Sequence, residues 1–442
     1  MLSRRSHLGF FEEEELIVAQ LRRQQLAAAL AATETDGRGP QDAKTDKSIG
    51  FTWEAHVARL DEAEFKRRYR LTAESFYALH DKLEPHLVKH EKFQQLATFG
   101  RIIETYAVLA CAIRFMAGGM VTDLKLIYDL SYGGVYNCIW SVVDAIHTVP
   151  EFKCDFPLGD TEKLDILEGE FAAQSRCPWR GQVGAVDGVL FKMLRPSARD
   201  VDDPKRYHVS RKDMYALLCI AVCDARRRIL YYDISCAPTT HDSLAWGASS
   251  LGIACKAGRL PSKYFFNGDS AFSASAYMAT PSGNDPALDD YDFFQSSNRM
   301  PIECAFGIIV RRWGVLWRAL SVRFDRRAPL IGACIKLHNF CINTQEIANS
   351  WEALCNEIPE SGGLGACQPG RWRKIPRFDR EGRPLDCFTD VLSKERLADE
   401  SGTGTLQARL ALAVRESGSV RPRVGSNCVR KVKGKRGGCK KK

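Results

Sequence analysis

Apolar positions in the first third of the chain recur at three- and four-residue intervals. Phe65, Tyr69, Leu71, Phe76, Leu79 and Leu83 fall on one helical face, which predicts a packed helical segment over residues 51–150. Within it, 102–116 reads as an apolar helix closed by Gly118 and Gly119. Thr122 is placed to cap a short helix through Leu130, and Ser131 a second one reaching Thr148. This is a helix-turn-helix pattern. From Gly181 the period changes to that of strands: 183–193, 214–223 and 229–236 are β-rich, the last two joined by a short Arg-rich turn, and 264–267 is a short buried strand. Helical patterns over 242–251, around Ile302 to Trp313, and over 330–342 follow the strands. Strands and helices in this order predict an α/β domain over 181–345, a mixed sheet flanked by helices and preceded by the helical segment. Residues 1–50 read as a helix and polar linker, and 346–420 as an appendage without periodicity.

Composition narrows the picture. At 442 residues with 45% hydrophobic and 26% charged side chains, the chain has the make-up of a globular protein. No stretch approaches the roughly 20 apolar residues of a membrane span. The 16 cysteines include no C-x-x-C pair and no Cys/His pair at zinc-ligand spacing, which points to reduced thiols in an intracellular compartment. The acidic run Glu12 to Glu15 argues against a secretory signal or an Arg-rich transit peptide.

The net charge of +9 is unevenly placed. Ten lysines and arginines and no acid lie between Arg421 and Lys442, whereas the other 420 residues hold 53 basic and 54 acidic side chains. A Gly-interrupted basic tail of this kind is expected to be disordered and to serve as a nuclear address or a nucleic-acid arm, the bland alternative being a solubilising tail. The helix-turn-helix pair, by contrast, carries Lys125 against Asp123, Asp129 and Asp144. A module that grips phosphates is positive, so a structural role suits this pair better than base reading.

Three acids fall where the strand pattern makes them costly. Asp187 interrupts an apolar strand, Asp269 follows the buried strand ending at Gly268, and Glu303 lies on the helical stretch after Arg299. If the two strands are neighbours, both aspartates emerge at one end of the sheet and the helix crossing that end brings Glu303 to them. Convergent carboxylates repel one another, and oxygen ligands favour hard divalent cations, so the trio makes physical sense as an Mg²⁺ or Mn²⁺ site for phosphodiester chemistry. Taken singly, each acid is better read as an N-cap, a turn former or a solvated helix residue. Arg299, Arg311 and Arg312 on one side and Arg211 and Lys212 on the other are candidate contacts to a DNA backbone. His241 and Asp242 are accessory candidates, with helix capping the better reading of Asp242. His338 and Asn339 read as a hydrogen-bonded core pair, and Trp313 and Trp317, four apart, as packing residues.

These motifs together resemble the Harbinger-type DDE transposases and their domesticated nuclease relatives. The resemblance runs from about Phe65 to Asn343 and rests on Val186-Asp187-Gly188, Tyr207 with Arg211-Lys212, Val222-Cys223-Asp224, His241-Asp242-Ser243 with Trp246, Gly268-Asp269-Ser270, Ile302-Glu303-Cys304-Ala305-Phe306-Gly307 and Leu337-His338-Asn339. It implies a ribonuclease H-like fold preceded by a helical domain, Asp187, Asp269 and Glu303 as the catalytic Asp, Asp and Glu, and Mg²⁺-dependent cleavage of DNA, while the basic tail is what points to the nucleus. It further implies a Myb-like partner protein for finding DNA, and it is compatible with a homo-oligomer; no membrane is involved. One departure is that Pro238-Thr239-Thr240 stands before His241-Asp242 where the family has Pro-Gly-Ser. A catalytically silent DNA- or chromatin-binding protein of the same fold is the competing reading.

Overall fold

The computed structural model describes residues 51–87, 103–174, 179–283, 285–344 and 406–421. The helix expected before residue 50 and the basic residues after Arg421 lie outside these.

The first half is helical, as its periodicity requires. Helices α1 (Trp53–Val57), α2 (Glu62–Tyr69), α3 (Ala73–Leu87), α4 (Thr105–Met116), α5 (Val121–Ile127), α6 (Tyr132–Thr148) and α7 (Thr161–Gln174) follow in order. Asp61 caps α2 by accepting from Glu64 N at 2.7 Å, and Ser131 caps α6 by accepting from Gly134 N at 3.0 Å. Thr122 does not cap α5. That helix opens one residue earlier, at Val121, because the chain turns sharply through Gly118 at φ 108°. Gly118 also has the Cα of Gly314 3.3 Å from where its own Cβ would lie, so two backbones pass where no side chain fits.

The sheet holds β1 (Gln182–Met193), β2 (His208–Val209), β3 (Met214–Cys223), β4 (Ile229–Asp233), β5 (Phe265–Asn267) and β6 (Met278–Ala279). Its order is β2-β3-β1-β5-β6, with β4 pairing β3 beyond β2 on the same edge. β1 runs antiparallel to β3 and parallel to β5, which in turn is parallel to β6. The sheet is therefore mixed, in agreement with the alternation of strand and helix in the sequence. Helices α8 (Asp242–Ala248), α9 (Ser250–Lys256), α10 (Asp289–Arg312), α11 (Phe324–Asn343) and α12 (Leu406–Glu416) complete it. The single helix expected over 242–251 is two, because Ser249 accepts from Gly252 N at 3.1 Å and starts a new one.

Side chains alternate across β3 and divide the interior. Leu217, Cys219, Ala221 and Cys223 face α4, α6, α10 and α11, whereas Leu218, Ile220 and Val222 face α7, α8 and α9. The helical first third is thus not a segregated layer; its core runs without a break into one face of the sheet. Polar ties reinforce the junction: Arg326 pairs with Asp144 at 2.8 Å, and His147 Nε2 meets the Pro329 carbonyl at 2.9 Å.

The tract read as an appendage contains α12, whose Leu406, Leu410 and Val414 pack on Trp179, Phe265 and Tyr291. Trp179 Nε1 donates to the Leu410 carbonyl at 3.0 Å. Arg421, counted above as the first residue of a disordered tail, is instead held: its backbone N–H donates to Asp290 at 2.7 Å and its guanidinium to Asp289 at 2.8 Å. Among the described residues, no helix is long and apolar enough to cross a membrane.

Candidate active site

Asp187 lies inside β1, where it pairs across the sheet with Ala221 of β3. On the other edge β1 is bonded to β5 only as far as Ala185, opposite Asn267. Two residues further along each parallel strand, Asp187 and Asp269 come level, at the point where β5 leaves the sheet. The strands are neighbours, as the sequence argument required. Alternation turns Ala185, Asp187 and Phe191 to the face covered by α10, the helix that carries Glu303.

Several polar side chains hold these elements in place. Gln295, fully buried on α10, donates to the carbonyls of Gly268 at 2.5 Å and Ala279 at 3.2 Å, pinning the residue before Asp269. Asn267 donates to Gln182 at 2.9 Å, and Gln182 to the Asn298 carbonyl at 3.1 Å, which ties β5, β1 and α10 together. Asp269 itself accepts from Ala271 N at 2.9 Å. Sequence reasoning passed over Gln295 and Asn298; their signal was two polar residues on the buried face otherwise made by Tyr291, Phe294, Ile302 and Ala305.

The electrostatics are those of crowded anions. Burial pushes the Asp187 carboxyl up to about 6, Arg299 and the Gly188 N–H at 2.8 Å oppose this, and the charges of Asp269 and Glu303 add to the rise. The three acids therefore share one electrostatic neighbourhood. Arg299 spans two of them: its Nη1 is 3.2 Å from Asp187 Oδ2 and its Nη2 2.6 Å from Glu303 Oε1. Glu303 is the most open of the group, with 43% of its side chain exposed. Among the described residues no three acid, His or Cys groups stand as a ready-made metal cage. A guanidinium instead occupies the space between Asp187 and Glu303.

Asp242 corrects the capping expectation. It is the first residue of α8, the cap position belongs to His241, and no side chain caps the helix. The Asp242 carboxylate instead approaches β1 from the opposite face, with Oδ1 2.9 Å from where a Cβ on Gly188 would lie. Only glycine leaves it room. Burial and, next, the charge of Asp269 raise the Asp242 carboxyl above its ordinary range, while His241, Arg211 and Lys212 lower it. His241 Nδ1 is 3.0 Å from Ser243 Oγ.

The candidate phosphate contacts separate into groups. Arg211 and Lys212 lie on an exposed turn within electrostatic reach of Asp242. Arg299 is engaged by the acids. Arg312 donates to the Arg70 carbonyl. Of the nearby basic run, Arg323 pairs with Asp325 at 3.0 Å, and Arg327 is buried and donates to the Val322 carbonyl at 3.0 Å. Trp313 is fully buried as expected, but Trp317 is 59% exposed. His338 and Asn339 are the expected core pair. His338 Nε2 meets the Arg227 carbonyl at 2.9 Å, and the Asn339 amide bonds both the N–H and the carbonyl of Ile229 at 2.8 Å.

Comparison with known proteins agrees with this arrangement. The model of the DDE superfamily endonuclease family matches residues 186–339, which span β1 to α11 and all three acids. Over these residues the chain is similar to DDE superfamily endonucleases. Its curated relatives include "Putative nuclease HARBI1" of Bos taurus and of Homo sapiens, each 25% identical over 240 residues, or 53% of this chain and 66% of the relative. The Xenopus laevis protein of the same name is 22% identical over 248 residues, 53% of this chain and 67% of the relative. The chain thus spans slightly under two thirds of the first two relatives. No solved structure matches it at the same stringency.

Proposed function

We propose that the protein is a metal-dependent DNA endonuclease of the DDE type, with Asp187, Asp269 and Glu303 as the ligands of divalent cations, Mg²⁺ or Mn²⁺. The observation that carries this reading is the delivery of three carboxylates, from mid-β1, just past the end of β5 and the middle of α10, to one neighbourhood where the charges of Asp269 and Glu303 add to the cost of ionising Asp187. The strand order, antiparallel on one side of β1 and parallel on the other, supports a ribonuclease H-like assignment.

The donor set fits such ions. It is all oxygen, it is reached from solvent through Glu303, and it already draws a cation, the Arg299 guanidinium, between two of its members. Hard divalent cations bound there would neutralise a phosphodiester and activate the attacking hydroxyl or water. The protein's own part is to hold the carboxylates rigid through Gln295, Asn267 and Gln182 and to guide the backbone with Arg211 and Lys212. Asp242 adds negative charge from the other side of Gly188 and so strengthens the pull on a cation near Asp269.

A catalytically silent DNA-binding protein of the same fold is favoured by one observation, that Arg299 already neutralises Asp187 and Glu303. Nicking of supercoiled DNA in Mg²⁺ or Mn²⁺ by the full chain and by Asp187→Asn separates the two. Cleavage lost in the variant supports the nuclease; equal cleavage, or none by either protein with a Myb-like partner present, removes it. The residues after Arg421 are proposed as a nuclear address, tested by the distribution of a fluorescent fusion lacking 422–442.

A further inference from the structure

Four arginines from distant parts of the sequence meet at the C-terminal end of α10. Arg70 ends α2, Arg114 lies in the last turn of α4, and Arg311 and Arg312 close α10. All four are partly exposed. Arg312 Nη1 donates to the Arg70 carbonyl and lies 3.8 Å from Cys341 Sγ, which locks α10 against the end of α2.

What sets the group apart is the sign of its surroundings. Elsewhere arginines meet carboxylates: Arg68 with Glu64, Arg226 with Glu170, Arg228 with Asp224, Arg326 with Asp144. Here the charges that Arg70 senses are those of Arg114, Arg312 and Arg311, all positive. Among the described residues no acid pairs with Arg70, Arg114 or Arg311, and the Nε of Arg70 is buried with no hydrogen-bond partner. Arg70 is also held at φ 61°, a left-handed backbone that a residue with a side chain seldom adopts. Like charges brought this close repel one another, and the cost is recovered when an anion settles among them.

We propose that Arg70, Arg114 and Arg311, braced by Arg312 through the Arg70 carbonyl, grip the phosphates of the DNA strand that enters the acidic site. The proposal rests on the endonuclease reading and extends it to the helical first third, whose recognition-like helix pair is acidic. Arg311 stands eight residues beyond Glu303 on the same helix, about 12 Å at 1.5 Å per residue. At 3.4 Å of duplex axis per nucleotide that is roughly three to four nucleotides, a spacing that lets one strand touch both Glu303 and the C-terminal end of α10. Forked guanidinium donors suit phosphate oxygens, and one rigid helix then sets the register between grip and acids.

The test is duplex binding by the full chain, read by fluorescence anisotropy in EDTA between 50 and 200 mM salt. Arg70→Gln/Arg114→Gln should weaken binding roughly tenfold and flatten the slope of log affinity against log salt by about 1.8, the loss of two phosphate contacts. The corresponding double Lys variant should keep most of the slope. Without DNA, Arg114→Gln should melt at or above the temperature of the unmodified protein, because it relieves repulsion. An unchanged slope overturns the grip, as does a lowered melting temperature, which would mean that the chain itself neutralises the cluster. If the slope flattens while no Asp187-dependent nicking is found, the grip stands and the nuclease reading falls; the reverse result removes the grip alone.

Discussion

Asp187 lies on β1 and Asp224 just past the end of the adjacent strand β3, and burial raises both carboxyls above their ordinary range. Their surroundings differ in kind. Asp224, directly after β3, accepts from Arg228 N at 2.7 Å and from Arg228 Nε at 2.6 Å, so one residue four positions away meets both oxygens. Asp187 has its own neighbour's N–H at 2.8 Å and an arginine 112 positions away that it shares with Glu303. Asp224 closes a turn that His338 and Asn339 also clamp. Asp187 is left among acids that add to its cost. A carboxylate neutralised locally serves the fold, whereas one surrounded by others from distant elements is kept at the expense of stability, as binding sites are.

That contrast is sharpest under substitution. Asp187→Asn should lower cleavage by about 10³-fold or more, since it removes a ligand used at every step, while leaving the melting temperature unchanged or raised. Asp224→Asn should do the opposite. Asp224 is fully buried while its partner Arg228 is 31% exposed, so breaking the pair costs up to about 3 kcal/mol, and cleavage per folded molecule should stay as it was. Activity assays paired with thermal melts decide the matter; a stability loss at Asp187 as large as that at Asp224 would erase the distinction.

The hairpin side also has a pH signature. Burial holds His338 down to about 4, against an ordinary value of 6.5. Between those values the unfolded chain binds a proton that the folded chain refuses, so stability falls as pH drops from about 6.5 to about 4 and is unaffected above. The full loss is about 3 kcal/mol at 1.36 kcal/mol per unit. Denaturant melts of the protein and of His338→Gln across this range should differ in slope by that amount, and parallel curves would place the acid sensitivity elsewhere.

How much of this was open to sequence reading follows the same division. The strands before Asp187 and Asp269 were legible as apolar runs, whereas their parallel pairing entered the sequence argument only as a condition, because no local signal fixes which strands pair. Glu303 was legible through the run Ile302-Glu303-Cys304-Ala305-Phe306-Gly307 rather than through burial, since its side chain is 43% exposed. Arg299 was read as a DNA contact because nothing local says that a guanidinium four residues before Glu303 also reaches β1. Asp242 was read as a cap because its approach to Gly188 depends on which face of the sheet α8 covers. Helix α12 went unread although Leu406, Leu410 and Val414 recur at helical spacing, because a Gly- and Pro-rich tract before it drew the eye to disorder. Contacts set by tertiary geometry leave weak local marks, as Arg70 and Arg114 also show.

The smallest expected effect concerns Arg299, the one group that belongs to both kinds of neutralisation. It is four residues from Glu303, like Arg228 from Asp224, yet it also reaches a distant strand. If it is only a structural partner, Arg299→Gln should destabilise the protein equally with and without metal. If it holds the place of a divalent cation, the variant should lose stability in EDTA but respond more strongly to Mn²⁺. Giving up one charge-assisted hydrogen bond costs about 1.5–3 kcal/mol, so removing that competition should tighten apparent Mn²⁺ affinity roughly tenfold or more. Titrating Mn²⁺ against melting temperature in both proteins measures this without reference to cleavage. Equal Mn²⁺ responses would assign Arg299 to the scaffold beside Arg228 and leave Asp187 without the counter-charge that distinguishes it.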